Sequence, residues 1–220
     1  MSSRRSFLTL VSVALLAASC SSGASEGATS SLPGSIPPPT TATTAPIAAG
    51  ATAHEPDGLG YALVLTEDWI AVDPRDSDAL AGFLDAVTEQ VEDSTLFSRA
   101  ADAIEQGIVE MSLWGFNADE GSQVNVVVAE RGPLDSPEVM SDVVIDLYES
   151  LGVRVVAAGV VVFPFGDVLR VEGAWSEVAV GVDSQVQYFV FGDEYTYTIT
   201  ITDASPAVEG AVITGFSLLG

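Results

Sequence analysis

The chain has 220 residues, with 31 Asp and Glu against 7 Arg and no Lys, for a formal charge of −24. That balance leaves no basic stripe for a phosphate backbone, so it excludes nucleic acid as a partner, and it excludes charge-driven attachment to anionic lipid headgroups. A single Cys and a single His exclude a disulfide framework, a Cys/His zinc cluster and a dithiol redox pair.

The first element is an export signal. Arg4 and Arg5 precede an apolar run from Phe7 to Ala18, and the small residues Ala17, Ala18 and Ser19 lead into Cys20. A basic start, a short apolar stretch and small residues before a cut site are the layout of a cleaved signal peptide spanning 1–19. The apolar run is too short to cross a bilayer, which takes about 20 residues. Ser3-Arg4-Arg5-Ser6-Phe7-Leu8 resembles the twin-arginine export signal, although Thr9 replaces the usual Lys and Sec export stays open. Leu16-Ala17-Ala18-Ser19-Cys20 resembles a bacterial lipobox with Ala17 at the position that usually holds Leu. That resemblance implies that Cys20 is diacylglycerylated, so the protein is held on the extracytoplasmic face of the cell membrane by acyl chains. Two chains suffice for stable anchoring where one is marginal. Ordinary secretion, with Cys20 incidental, is the alternative. Removal of the signal takes away Arg4 and Arg5 and leaves 5 Arg against 31 acids, a charge of −26.

Residues 20–56 are rich in Ser, Thr, Ala, Gly and Pro, with almost no large apolar side chain. Such a stretch buries too little surface to offset its ordering entropy and reads as a disordered linker. His54 lies at its end. Residues 57–220 then form one globular domain, long enough for a single packed core.

Within the domain, "GYALVLTEDWIAV" predicts a strand, a turn and a short second strand. Leu80, Phe83, Leu84, Val87 and Val91 recur at helical spacing after Asp76 or Ser77 as N-cap, and Leu96, Phe97, Ala100, Ala101 and Ile104 make a second helix that Gly107 can end. "GIVEMSLWGF" and "SQVNVVVAER" predict two strands joined by a hairpin turn over Asn117–Gly121. Ser136-Pro137 opens a third helix with the stripe Met140, Val143, Val144, Leu147 and Leu151, stopped by Gly152. Strands follow near 153–162, 166–175, 184–192 and 194–202, then a short helix from Ser205-Pro206 and a last strand in "GFSLLG". Long hairpin-connected strands with helices inserted between them predict an α+β fold with a mostly antiparallel sheet.

This order resembles the PsbP-like α/β/α sandwich, and more narrowly the LpqN-type lipoproteins of high-GC Gram-positive bacteria. The residues that carry the likeness are "GYALVLTEDW", "SQVNVVVAE" and "SQVQYFVFGDEYTYTITIT" ahead of the short helix and "GFSLLG". The resemblance implies a non-enzymatic binding role and no catalytic residue. This chain departs from the family in lacking Lys altogether.

The chemistry within reach is narrow. With His54 in the linker, a Ser-His-Asp triad within the domain is unsupported, and without Lys there is no Schiff-base nucleophile and no phosphate-loop lysine. No dinucleotide fingerprint occurs, so no cofactor is expected. Asp73, Asp76 and Asp78 offer oxygen ligands, as do Asn117, Asp119 and Glu120, but neither set has EF-hand spacing. They read more simply as a helix N-cap with first-turn acids and as a polar turn.

Strand alternation suggests a different site. Glu110, Ser112 and Trp114 share one face of their strand, Gln123 and Asn125 a face of the next, as do Arg170 with Glu172, Gln185 with Gln187, and Thr196, Thr198, Thr200 and Thr202. Val109, Met111, Leu113, Val124, Val126, Val128, Tyr195, Tyr197 and Ile199 on the opposite faces are the expected core. If the polar faces coincide, Trp114, Arg170, Glu110, Asn125 and Gln187 form a ligand face for a glycan or a polar headgroup. The simpler alternative is a solvated sheet face with Arg170 paired to Glu172 or Glu110. The functional expectation is a lipid-anchored, non-enzymatic binding or adaptor domain for an envelope glycolipid or a protein partner. The alternatives are a carboxylate-dependent hydrolase of envelope sugars and a passive acidic coat protein.

Overall fold

The computed structural model describes residues 50–90, 95–107, 110–132, 136–175 and 184–219. The expectations for Arg4, Arg5, Cys20, most of the linker, Val91 and Val109 fall outside these residues.

In chain order the elements are β1 (Thr52–His54), β2 (Tyr61–Leu65), β3 (Trp69–Val72), α1 (Ser77–Thr88), α2 (Thr95–Glu105), β4 (Leu113–Asn117), β5 (Ser122–Glu130), α3 (Pro137–Ser150), β6 (Val153–Phe163), β7 (Gly166–Trp175), β8 (Ser184–Phe191), β9 (Tyr195–Thr202), α4 (Pro206–Gly215) and β10 (Phe216–Leu218). Seven strands form a sheet in the order β3-β4-β5-β9-β8-β7-β6, and three more form a second sheet, β1-β2-β10. Every pairing among the described residues is antiparallel. The fold is therefore α+β, built on a large antiparallel sheet.

Local chemistry accounts for the boundaries. Asp76 caps α1 by accepting from the amides of Asp78 and Ala79, at 3.0 and 3.1 Å. Ser136 and Ser205 cap α3 and α4 through Val139 N and Val208 N, each followed by Pro at the first helical position, where no amide donor is missed. The β4–β5 turn closes because the Asn117 side chain accepts from the amides of Asp119 and Glu120, and Gly121 takes a φ of +71°. Asp73 makes a fork-like pair with Arg75. Burial opposes the Asp73 charge, but the Arg75 hydrogen bonds outweigh it and hold the carboxyl below its usual range. The acids of that loop thus serve the helix start.

Strand alternation gives the large sheet two faces. On one, Leu113, Val124, Val126, Val168, Tyr188, Val190, Tyr197, Ile199 and Ile201 pack against the small sheet and α4, through Tyr61, Leu63, Val212, Ile213 and Phe216. On the other, α1 and α2 cover the β3–β5 end through Leu80, Phe83, Val87, Phe97, Trp114, Phe116 and Val127. There α3 covers the β6–β8 end through Met140, Val144, Tyr148, Leu169, Val171 and Phe189.

Two expectations change. Regular structure starts before residue 57: β1 lies inside the stretch read as linker, with His54 opposite Leu63 of β2. A Thr-Ala-His strand is too short and polar to announce itself, and it forms because β2 offers an edge. The buried stripe of α3 is Met140, Ser141, Val144, Ile145 and Tyr148, while Val143 stands exposed, because the helix is rolled about its axis to press Tyr148 onto Gly173. On the face away from α1, α2 and α3, the large sheet is covered by a small sheet and one helix, with β2 paired to β1 and β10.

Candidate functional site: a polar seam across the helix face

Between the two helical covers, the helix-facing side of the sheet is polar. Strand register sets Trp114, Asn125, Thr200, Gln187 and Val171 in one row across five strands, and Phe116, Gln123, Thr202, Gln185 and Gly173 in the next. Each row begins under α1 and α2, ends under α3 and is polar in the middle. Alternation at period two is the cause: along these rows of β5, β8 and β9, Val124, Val126, Tyr188, Ile199 and Ile201 point to the small-sheet side and Asn, Gln and Thr turn to the helices.

This seam is buried. Gln185, Thr198 and Thr200 are almost fully enclosed and Gln187 is 0% exposed, while Gln123, Asn125 and Thr202 are half-buried. Gln187 Nε2 donates to Thr200 Oγ1 at 3.1 Å, and Gln185 Nε2 donates to the Tyr148 hydroxyl at 2.6 Å. Burial of Tyr148 pushes its hydroxyl pKa up despite the Gln185 contact, so it stays a neutral phenol. Three further buried atoms of the seam have no partner among the described residues: Gln187 Oε1, Thr198 Oγ1 and Thr202 Oγ1. A buried hydrogen-bonding atom left unpaired costs about 1–3 kcal/mol. Three in one seam are a substantial burden against a usual net stability of about 5–15 kcal/mol. Of the four buried side-chain atoms without a partner among the described residues, the fourth, Ser141 Oγ, belongs to α3, so the seam holds the rest.

The five residues expected to share a face do not. Asn125 and Gln187 lie in one row of the seam. Trp114 shares their row but is core, 2% exposed, tilted against Phe83 and stacked on Phe97 at 5.5 Å between ring centroids. Strand β4 begins only at Leu113, so alternation counted through Glu110 and Ser112 miscarries. Met111 joins Trp114 under the helices, whereas the Ser112 hydroxyl meets Tyr61 OH at 2.8 Å on the other side. Glu110 is exposed and outside any strand.

Arg170 is on the opposite, small-sheet side. Its Nε donates to Glu209 of α4 at 2.8 Å and its Nη1 to Glu172 at 3.1 Å, while the Tyr188 hydroxyl also donates to Glu209. Burial opposes the guanidinium charge, but the Glu209 carboxylate outweighs it and raises the pKa above its ordinary value. Tyr188 is driven up by burial and then by Glu209. This cluster ties α4 to the sheet, with both carboxylates engaged by the same cation. Of the two acids expected beside Arg170, Glu172 is present and Glu110 is not. Glu209, from the last helix, carried no sequence signal for this contact.

Thr198, Thr202 and Gln185 belong to the alternation seen in the sequence. Their burial, and the approach of Tyr148 from α3, depend on where the helices dock.

No protein-family model and no curated protein matches this chain. Among solved structures, the chain is similar to the solution structure of the cyanobacterial PsbP protein CyanoP from Synechocystis sp. PCC 6803, with 11% sequence identity over 78% of this chain and 94% of that one, at a TM-score of 0.47.

Proposed function

We propose that this protein is a non-catalytic binding domain, tethered through acyl chains on Cys20 to the extracytoplasmic face of the cell membrane, that takes an uncharged, hydroxyl-rich group such as the glycan of an envelope glycolipid. The observation that carries the reading is the polar seam, where Gln187 Oε1, Thr198 Oγ1 and Thr202 Oγ1 are buried without partners. Carbonyl and hydroxyl oxygens accept from sugar hydroxyls, and the threonines can also donate. The seam rows contain no charged side chain, and the chain as a whole carries −24, which disfavours an anionic guest. The resemblance of "GYALVLTEDW" and "SQVQYFVFGDEYTYTITIT" to LpqN-type lipoproteins supports the same class of role.

The test is native mass spectrometry of the mature chain after incubation with an extract of the producing cell's envelope. A retained neutral glycolipid that disappears in Gln187→Leu and Thr198→Val is the expected result. No retained mass, at extract concentrations that load a control carrier, would mean that ordered water fills the seam and would overturn the assignment. The tether is tested separately: Cys20→Ala should move the protein from membranes to the soluble fraction.

A further inference from the structure

Among the described residues six large apolar side chains are exposed, and five of them lie on β6 or on the helix packed over it: Val156, Val160 and Val162 on the strand, Val139 and Val143 on α3. Strand β6 is the longest in the fold at 11 residues, and it is the last strand of the seven-stranded sheet, so its outer edge is unpaired among the described residues. Residues 155–166 hold no charged side chain, in a chain with 31 acids. Edge strands are ordinarily protected by being short or charged. The opposite edge follows that rule: β3 has 4 residues and is bracketed by Glu67, Asp68 and Asp73. The β6 edge breaks it.

We propose that β6 pairs antiparallel with β6 of a second copy, joining two seven-stranded sheets across a two-fold axis. The strand is its own complement. From Ala157 to Phe163 its register with β7 is unbroken, bounded by the bulge at Val156 and by Pro164. A two-fold axis at Val160 sets Val162 opposite Ala158 of the other copy, Val161 opposite Gly159, and Phe163 opposite Ala157. Val160 meets its own copy on the axis, each bulky residue to either side of it meets a small one, and opposed residues share a face, as antiparallel pairing requires. Two molecules of like charge approach most readily where neither carries an acid, and this strand is such a place. The same geometry brings the two α3 helices, each packed over its own β6, to the same side of the junction. The symmetry is isologous and closed, so the pairing stops at a dimer. The edge is distinct from the polar seam, and the two assignments fail independently.

The experiment uses the mature chain with Cys20→Ala, measured by light scattering after gel filtration at micromolar concentration. The expected mass is twice that of the chain. Val162→Lys, at a position already 75% exposed and therefore harmless to folding, should return it to the monomer, as should Val160→Lys. Leu219→Lys, exposed elsewhere, should leave the dimer intact. Val160→Cys, then the sole thiol, should form a disulfide-linked dimer on mild oxidation, because residues opposed on the axis bring their Cα atoms within disulfide reach. A monomer at every concentration would overturn the proposal, as would a dimer indifferent to Val162→Lys. Capture of an extended segment of another protein by a monomeric chain would also overturn it and reassign the edge to that partner.

Discussion

Thr198 carries a hydroxyl that is enclosed by the protein and has no partner there, whereas the Thr200 hydroxyl two residues on accepts from Gln187. The pair makes a controlled comparison, because Thr and Val have nearly the same shape. Thr198→Val removes an unpaired polar atom and should stabilise the ligand-free protein by about 1 kcal/mol or more. Thr200→Val leaves Gln187 Nε2 without its acceptor and should destabilise by a similar amount, at least about 1 kcal/mol. Urea midpoints read both. If both fall, the Thr198 hydroxyl is satisfied by water in solution, and the seam is wet before any guest arrives. Burial of Gln187 and Thr198 is the property that sequence could not supply. The alternation that turns Gln, Asn and Thr to one face is legible, but a polar face reads as solvated until the helices that cover it are placed. Trp114 fails in the opposite sense. Counting through Ser112 puts it on a solvated polar face, yet the strand has not begun at Ser112 and the ring is core.

At the level of elements, α4 shows how close packing constrains sequence. A Cβ on Gly215 would stand 2.2 Å from Val64 O in β2, while one on Gly210 meets nothing within 4 Å. Gly210→Ala should stabilise by up to about 1 kcal/mol through helix propensity. Gly215→Ala must push α4 off β2 and should cost roughly 1–3 kcal/mol, read as a fall in thermal midpoint. Strand β1 gives a second test. Burial lowers the pKa of His54, the only histidine, below the ordinary imidazole value. The unfolded chain therefore takes up this proton at a higher pH than the folded one. Stability is full above the ordinary imidazole value and declines as the pH falls through it, levelling off below the folded pKa. Thermal midpoints should drop between about pH 7.5 and about pH 5.5, and His54→Gln should flatten that slope. An unchanged slope would show that β1 is undocked in solution. The elements themselves are largely readable, because caps and glycines mark their ends: Asp76, Ser136-Pro137, Ser205-Pro206, Gly107 and Gly152. The roll of α3 is not, because Val143 and Tyr148 are both plausible in a buried stripe and only the fit against Gly173 selects between them.

For the whole molecule, charge outweighs every other long-range effect. At −24, with three ion pairs among the described residues, most acids face one another across solvent. Such self-repulsion weakens the compact state and is screened by salt. The thermal midpoint should rise between about 0.01 M and about 0.3 M NaCl and change little beyond, as the screening length falls below typical charge separations. A midpoint independent of salt would mean that the acids are spaced widely enough not to interact.

Whatever depends on residues near one another in the chain is already settled in the sequence: the basic-apolar-small layout ending at Cys20, the capped helices, the alternating strands, the absence of lysine and hence of a basic surface. These follow from short-range chemistry and from composition, which no fold can change. Which faces meet is a matter of tertiary structure alone. It separates Arg170 from Asn125 and Gln187 by the thickness of the sheet, brings Glu209 to Arg170 from 39 residues away, and draws Tyr148 onto Gln185. Each of those contacts depends on how helices dock on a twisted sheet, and docking is set by the summed packing of many side chains rather than by any local signal.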